Sequence, residues 1–143
     1  MQIQRIQSLL LLIAAVCMVV FICLPFGYWT QPLEDGSRVI APITAYDFIG
    51  LLIPAVTVII LLLIDIFLFK NFKLQKTVLI ISMMMTLVCI GIVIYINCDR
   101  ATMGTLHWAG SGLLLIATLV ASIAAFSRIR ADERLLNSYN RLR

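Results

Sequence analysis

The chain has 143 residues, of which 62% are hydrophobic and 13% are charged, and its net charge is only +4. Soluble domains are about 45–50% apolar and about a quarter charged. A soluble fold of this length would have to expose large apolar patches. These values exclude a soluble enzyme, a disordered chain and the usual kind of nucleic-acid-binding domain, and they predict an integral membrane protein.

Four apolar stretches reach the length of about 20 residues that a membrane-spanning helix needs. They cover residues 7–24, 48–69, 77–96 and 106–126. No A-x-A cleavage site follows the first stretch, so we expect a retained helix rather than a signal peptide. The sequence therefore predicts one all-α membrane domain over residues 1–143. It is a bundle of four transmembrane helices with a helical tail at 127–143.

Basic residues are distributed unevenly over the two ends of the predicted spans. Nine of the eleven lie at the N-terminus, between spans two and three, or in the tail, whereas only Arg38 and Arg100 lie on the opposite side. Cytoplasmic flanks of membrane helices carry the excess of Lys and Arg. We therefore expect both termini in the cytoplasm. The short connection at residues 70–76 predicts a tight antiparallel hairpin of spans two and three.

The first connection, residues 25–47, is the longest and contains a turn signal. Asp35-Gly36 favours a tight hairpin turn, and residues 28–33 and 38–41 flank it as candidate strands. A two-stranded ribbon is marginal in water unless it rests on other structure. We expect either a short β-ribbon on the helix ends or an irregular loop.

Asp65 is the only charged residue inside the four predicted spans. Acids inside the membrane are candidates for proton or cation sites. Asp65, however, lies about one turn from Lys70, near the cytoplasmic end of span two. We interpret Asp65 as the acid of an interfacial ion pair with Lys70 or, alternatively, Lys73, and a role in an ion pathway is the other interpretation.

Residues of the kinds that carry catalysis are sparse. His107 is the only histidine, so a haem or metal site within one chain lacks its usual ligands. The four cysteines include no C-x-x-C pair. Cys23 and Cys98 fall near the outer face, where they either form a disulfide or stay free. We expect no catalytic residue, no metal and no cofactor, and hence no enzyme.

Small residues are concentrated in span four. Ala117, Ala121 and Ala125 recur at every fourth position. Such spacing lets two membrane helices approach closely. The three alanines are interpreted as packing inside the bundle, and a docking face for another copy or another subunit is the alternative.

The tail combines basic residues with an apolar stripe. Leu135, Tyr139 and Leu142 recur at helical spacing, and arginines flank them. Arginines next to a span attract anionic lipids, but the last ones lie about 20 Å further along a helix. The tail is therefore expected to dock either the lipid surface or a partner. The docking candidates are Arg130, Arg134, Leu135, Tyr139, Arg141, Leu142 and Arg143.

The two ends of the chain carry recognisable residues. The opening has Gln4-Arg5-Ile6-Gln7, and the close has Arg130, Asp132-Glu133, Leu135 and Arg141-Leu142-Arg143. Together with the chain length and the number of spans, these residues resemble a family of small bacterial four-helix inner-membrane proteins known as a domain of unknown function. The resemblance implies a bacterial inner-membrane location. It implies no activity, cofactor or catalytic residue.

Three classes of function can be compared on these observations. A non-catalytic accessory or scaffold subunit needs few polar groups in the membrane, a close-packing helix face and a docking element, and the sequence has all three. A small oligomeric transporter or channel is the alternative, with Asp65 as its candidate residue. A membrane enzyme is disfavoured because no acid–base pair or metal cluster is present. The expected partners are the lipid bilayer and either another membrane subunit or a cytoplasmic protein, without specific nucleic acid.

Overall fold

The computed structural model describes residues 2–32, 34–68, 71–103 and 105–141. Within these residues the chain forms four α-helices and a small antiparallel sheet. The helices are α1 (Gln2–Cys23), α2 (Ile49–Phe67), α3 (Phe72–Met103) and α4 (Gly112–Arg141). The strands are β1 (Gly27–Pro32), β2 (Arg38–Ile43) and β3 (Thr105–Trp108), and a 3-10 turn covers Ala45–Asp47.

Each of the four helices contains a stretch that is long and apolar enough to cross a membrane. These stretches are Ile6–Cys23, Ile49–Phe67, Phe72–Asp99 and Gly112–Ser138. α1 packs against α2 and α4, and α3 packs against the same two helices, so the four form a closed bundle. The prediction of a mostly helical protein with four apolar helices that could span a membrane is confirmed.

The sheet lies at one end of the bundle, which we call the sheet end. β1 and β2 form a hairpin that pairs Gly27 with Ile43 and Pro32 with Arg38. Gly36 occupies the turn with a φ of 75°, a conformation that glycine adopts at low cost. The predicted β-ribbon is therefore present. Its Asp-Gly turn was the local signal for it.

The structure adds a third strand that the sequence interpretation assigned to span four. β3 pairs antiparallel with β1, with His107 opposite Tyr28, and the sheet order is β2-β1-β3. α4 consequently begins at Gly112 rather than near residue 106, and α3 continues to Met103 rather than ending near residue 96. Hydropathy marks where apolar residues stop, whereas a helix ends where its backbone finds other partners.

Backbone hydrogen bonds hold the short segments that connect the helices to the sheet. The Phe26 N–H donates to the Ile43 carbonyl at 2.9 Å, and the Ala109 N–H donates to the Phe26 carbonyl at 3.3 Å. The Phe26 ring stacks on that of Phe21, with 6.1 Å between the ring centroids. Both rings are buried and begin a core that continues down the bundle through Met18, Leu51 and other apolar side chains.

Candidate functional site

Charged and amide side chains gather at the opposite end of the bundle, where α2 ends and α3 begins. We call this the lysine-loop end. Every helix contributes to the group, which we call the polar layer. Its members are Gln7, Asp65, Gln75, Lys76, Asp132 and Glu133. On α4, Asp132 lies 20 residues after Gly112, or about 30 Å, which is the thickness of a bilayer's hydrocarbon core.

Two side-chain contacts in the polar layer fix the far part of α4 to the bundle. Gln7 of α1 is 3% exposed and donates a hydrogen bond from its Nε2 to Oδ2 of Asp132. Lys76 of α3 forms an ion pair with Glu133 through its Nζ and the carboxylate Oε2. Adjacent residues of α4 are thus held by two different helices. The helix cannot swing at this level without breaking both contacts.

Asp65 is the most deeply buried acid of the polar layer. Its side chain is 0% exposed, and neither carboxylate oxygen has a hydrogen-bond partner among the described residues. Gln75 is also buried; its Nε2 donates to the Asp65 backbone carbonyl at 3.4 Å, and its own Oε1 lacks a partner there. Lys70 lies outside the described residues, so the Asp65–Lys70 ion pair stays a prediction. Buried acceptors without donors are costly and are suited to holding a proton or a cation.

Beyond the polar layer, α4 continues as an unbroken helix to Arg141. Arg134 is exposed, and Leu135 and Leu136 are 51% and 50% exposed. The side chains of Tyr139 and Arg141, and the whole of Leu142 and Arg143, lie outside what the structure describes. The predicted helical tail is present. Leu136 joins Leu135 on its surface, which the predicted stripe did not include.

A groove of about 600 Å³ separates the tail from the start of α3. We call it the tail groove. It is lined by Asn71, Phe72, Lys73, Leu74, Glu133, Leu136 and Asn137. Leu74 is 55% exposed on one wall, opposite the exposed Leu136 on the other. The groove therefore joins apolar contact area to charges of both signs.

The small residues of α4 divide between core and surface. Ala125 is 0% exposed, Ala121 is half-buried and Ala117 is exposed. Ala117 therefore lies at the surface of the bundle, and the interpretation of the three alanines as a packing face stays a prediction. Among the side chains of α4 that the structure describes, the buried ones are Leu115, Thr118, Ser122, Ala125 and Ile129. The spacing of these buried residues alternates between three and four, which keeps them on one face of the helix. The three alanines are spaced by a constant four residues, which is more than one helical turn, so they rotate away from the buried face.

The cysteines and the histidine lie apart from the polar layer. Cys23 and Cys98 are exposed near the sheet end and are not bridged in the structure. The disulfide between them stays a prediction. His107 is exposed in β3. In the described part of the chain, no group of three His, Cys, Asp or Glu side chains is placed to hold a metal ion.

The sequence singled out Asp65 and the tail, but it did not indicate that Gln7, Gln75 and Glu133 lie at the same level of the bundle as Asp65. A usable signal was present, because each predicted span had an amide or an acid close to the same end. The model of the family described as Domain of unknown function (DUF4293) matches residues 3–142 of the chain. The chain belongs to this family. No curated relative matches the chain.

Proposed function

We propose that the protein is a non-catalytic subunit or scaffold of a bacterial inner membrane, and that it presents the end of α4 to a partner protein in the cytoplasm. Both termini lie on the cytoplasmic side in this proposal. The supporting observation is the charge distribution, with nine of the eleven basic residues at the lysine-loop end or in the termini beside it.

The observation that carries the proposal is the continuity of α4 through the polar layer. The helix has 30 residues and is therefore about 45 Å long, whereas the hydrocarbon core is about 30 Å thick. Its last part, after Asp132, extends past the bilayer by about 14 Å at Arg141. Because Gln7 and Lys76 hold Asp132 and Glu133, this part has a fixed direction. A fixed, exposed helix is suited to docking because it loses little conformational freedom on binding.

The surface of this extension indicates the chemistry of the partner. Leu74 and Leu136 offer apolar contact area across the tail groove, while Lys73 places positive charge in its lining. Arg134, which follows the lining residue Glu133 on α4, is also exposed. We propose an amphipathic partner segment that inserts apolar side chains into the groove and carries acidic residues at its edge. The exposed leucines would be buried by the apolar side chains of such a segment, and the basic residues would attract its acidic side chains.

The experiment is purification of the tagged protein from its native membrane in mild detergent, followed by mass spectrometry of co-purifying proteins. One variant ends at Leu136, and a second carries Leu136→Ser. The matched control carries Leu113→Ser, which alters an exposed leucine at the other end of the same helix.

We expect a stoichiometric partner that is lost with both tail variants and retained with the control. No partner for the full chain would contradict the proposal, and so would a partner that survives both tail changes. Retention of anionic lipid alone, dependent on the tail, would assign the tail to the lipid surface instead.

A small oligomeric transporter or channel is the second candidate function, and the isolation of Asp65 favours it. The carboxylate is buried, and no described side chain donates to it. Acidic residues inside a membrane that face the interior of a helix bundle are typical of proton and cation pathways. The discriminating variant is Asp65→Asn, which a scaffold tolerates and which abolishes transport that depends on this carboxylate.

A further inference from the structure

A second groove lies between α3 and α4 beside the Lys76–Glu133 ion pair. It has a volume of about 550 Å³. Its lining consists of Lys73, Lys76, Thr77, Ile80, Phe126 and Arg130. We call it the interhelical groove. Three cations from two helices therefore meet in one depression that also has apolar walls.

The lining is ordered by depth. Ile80 follows Lys76 by four residues, and Phe126 precedes Arg130 by four, so each apolar side chain lies about 6 Å further into the membrane than its basic neighbour. Ile80 is exposed and Phe126 is partly buried, so the apolar part of the groove faces the lipid. A site with cations at the surface and apolar side chains below has the same order as a phospholipid, which places phosphate above acyl chains.

The charges of the groove are not all neutralised within the protein. Lys76 is paired with Glu133, which is the acid that the structure brings to this site. Lys73 and Arg130 are exposed, and neither forms an ion pair among the described residues. Two cations from different helices thus remain for an anionic ligand. Arginine suits a phosphate in particular because its guanidinium presents several donors in one plane.

We propose that the interhelical groove binds one anionic phospholipid. Lys73 and Arg130 contact its phosphate, and an acyl chain lies over Ile80 and Phe126. Basic depressions between membrane helices recognise anionic headgroups in this way. A free phosphate has the same charge but no acyl chain, so it would leave the apolar half of the groove uncovered. This proposal concerns lipid binding between helices and does not depend on a protein partner for the tail.

The test is native mass spectrometry of the full chain in mild detergent. The protein is incubated with equal amounts of phosphatidylglycerol and phosphatidylcholine that carry the same acyl chains. We expect bound phosphatidylglycerol in excess, and about a fivefold loss of that binding in Arg130→Gln and again in Lys73→Gln. Arg134→Gln is the matched control, because Arg134 lies one turn further along α4 and outside the groove, and it should bind as the unaltered chain does.

Three outcomes would overturn the proposal. The first is equal retention of the two lipids by the unaltered chain. The second is an equal loss in Arg134→Gln, which would indicate general charge attraction. The third is complete release of the lipid by excess inorganic phosphate, which would indicate a site for free anions. Because Arg130 and Lys73 are altered separately at exposed positions, a folding defect in one variant leaves the other as a test.

Discussion

The Gln7 side chain donates its hydrogen bond to Asp132 across 125 residues of sequence, and so joins the start of the first helix to the far part of the last. Gln7 is buried and Asp132 is partly buried, so water does not readily replace either partner. The contact lies about 30 Å along α4 from Gly112, a distance equal to the thickness of a bilayer's hydrocarbon core. It therefore closes the bundle and sets the direction of the helical extension that we propose as the docking element.

This contact is predicted to contribute measurable stability. Hydrogen bonds between membrane helices are worth about 0.6–2 kcal/mol. We expect Gln7→Ala and Asp132→Ala each to lower the unfolding free energy, and the double variant to lose less than the sum, with a coupling of about 0.6–2 kcal/mol. Unfolding by a denaturing detergent measures all four members of the cycle. Additive losses would show that the two side chains do not interact.

Replacing an alanine of α4 with a larger residue should lower the stability of the protein on the buried face of the helix but not on its exposed face. Ala125→Leu places extra atoms in the core, where overpacking costs about 1–3 kcal/mol. Ala117→Leu is the matched control on the same helix, and its exposed position predicts unchanged stability in detergent. Thermal unfolding of the two variants makes the comparison. If Ala117→Leu instead breaks an oligomer, the exposed alanine would mark a contact between copies.

Asp65→Asn is expected to leave stability unchanged or to raise it. The substitution removes the negative charge from a buried position with no described donor, and desolvation of that charge is costly. Co-purification with the partner should also be unchanged. A folded Asp65→Asn protein that fails to restore function in cells would contradict the scaffold account and support the transporter.

Adding a side chain at Gly36 in the hairpin turn should lower the stability of the protein. An L-residue with the positive φ of Gly36 costs about 1–2 kcal/mol. Gly36→Ala should therefore lower the unfolding free energy by that amount, although a Cβ there meets no neighbouring atom. Gly50→Ala provides the control, because Gly50 lies in α2 and an added Cβ would enter open space. We expect this substitution to be neutral or to stabilise the protein by up to about 1 kcal/mol. Equal effects of the two substitutions would remove the conformational explanation.

The sequence predicted those parts of the fold that depend on local patterns. Each apolar run of sufficient length became a helix, and Asp35-Gly36 marked the hairpin between β1 and β2. β3 was missed because Leu106 and Trp108 have the composition of a membrane helix, and only pairing with β1 shows that this segment is a strand. That partner lies far away in the chain, so no local window contains the information.

The candidate site was predicted in part for the same reason. Asp65 stood out because it is an isolated charge in an apolar run, and the tail because of its arginines and leucines. The partnerships of Gln7 with Asp132 and of Lys76 with Glu133 depend on which helices are neighbours and at what height. Neither spacing nor composition contains that relationship, so the pairing of side chains within the polar layer emerged only from the packed bundle.

The most direct test of the docking proposal is crosslinking in the native membrane. A photoreactive p-benzoylphenylalanine replaces Leu136 in one strain and Leu113 in a control strain, since both leucines are exposed on α4. We expect illumination to join position 136 to one protein of defined mass, and we expect no such adduct at position 113. If no protein is crosslinked at position 136, or if the same adducts form at both positions, the docking proposal is contradicted.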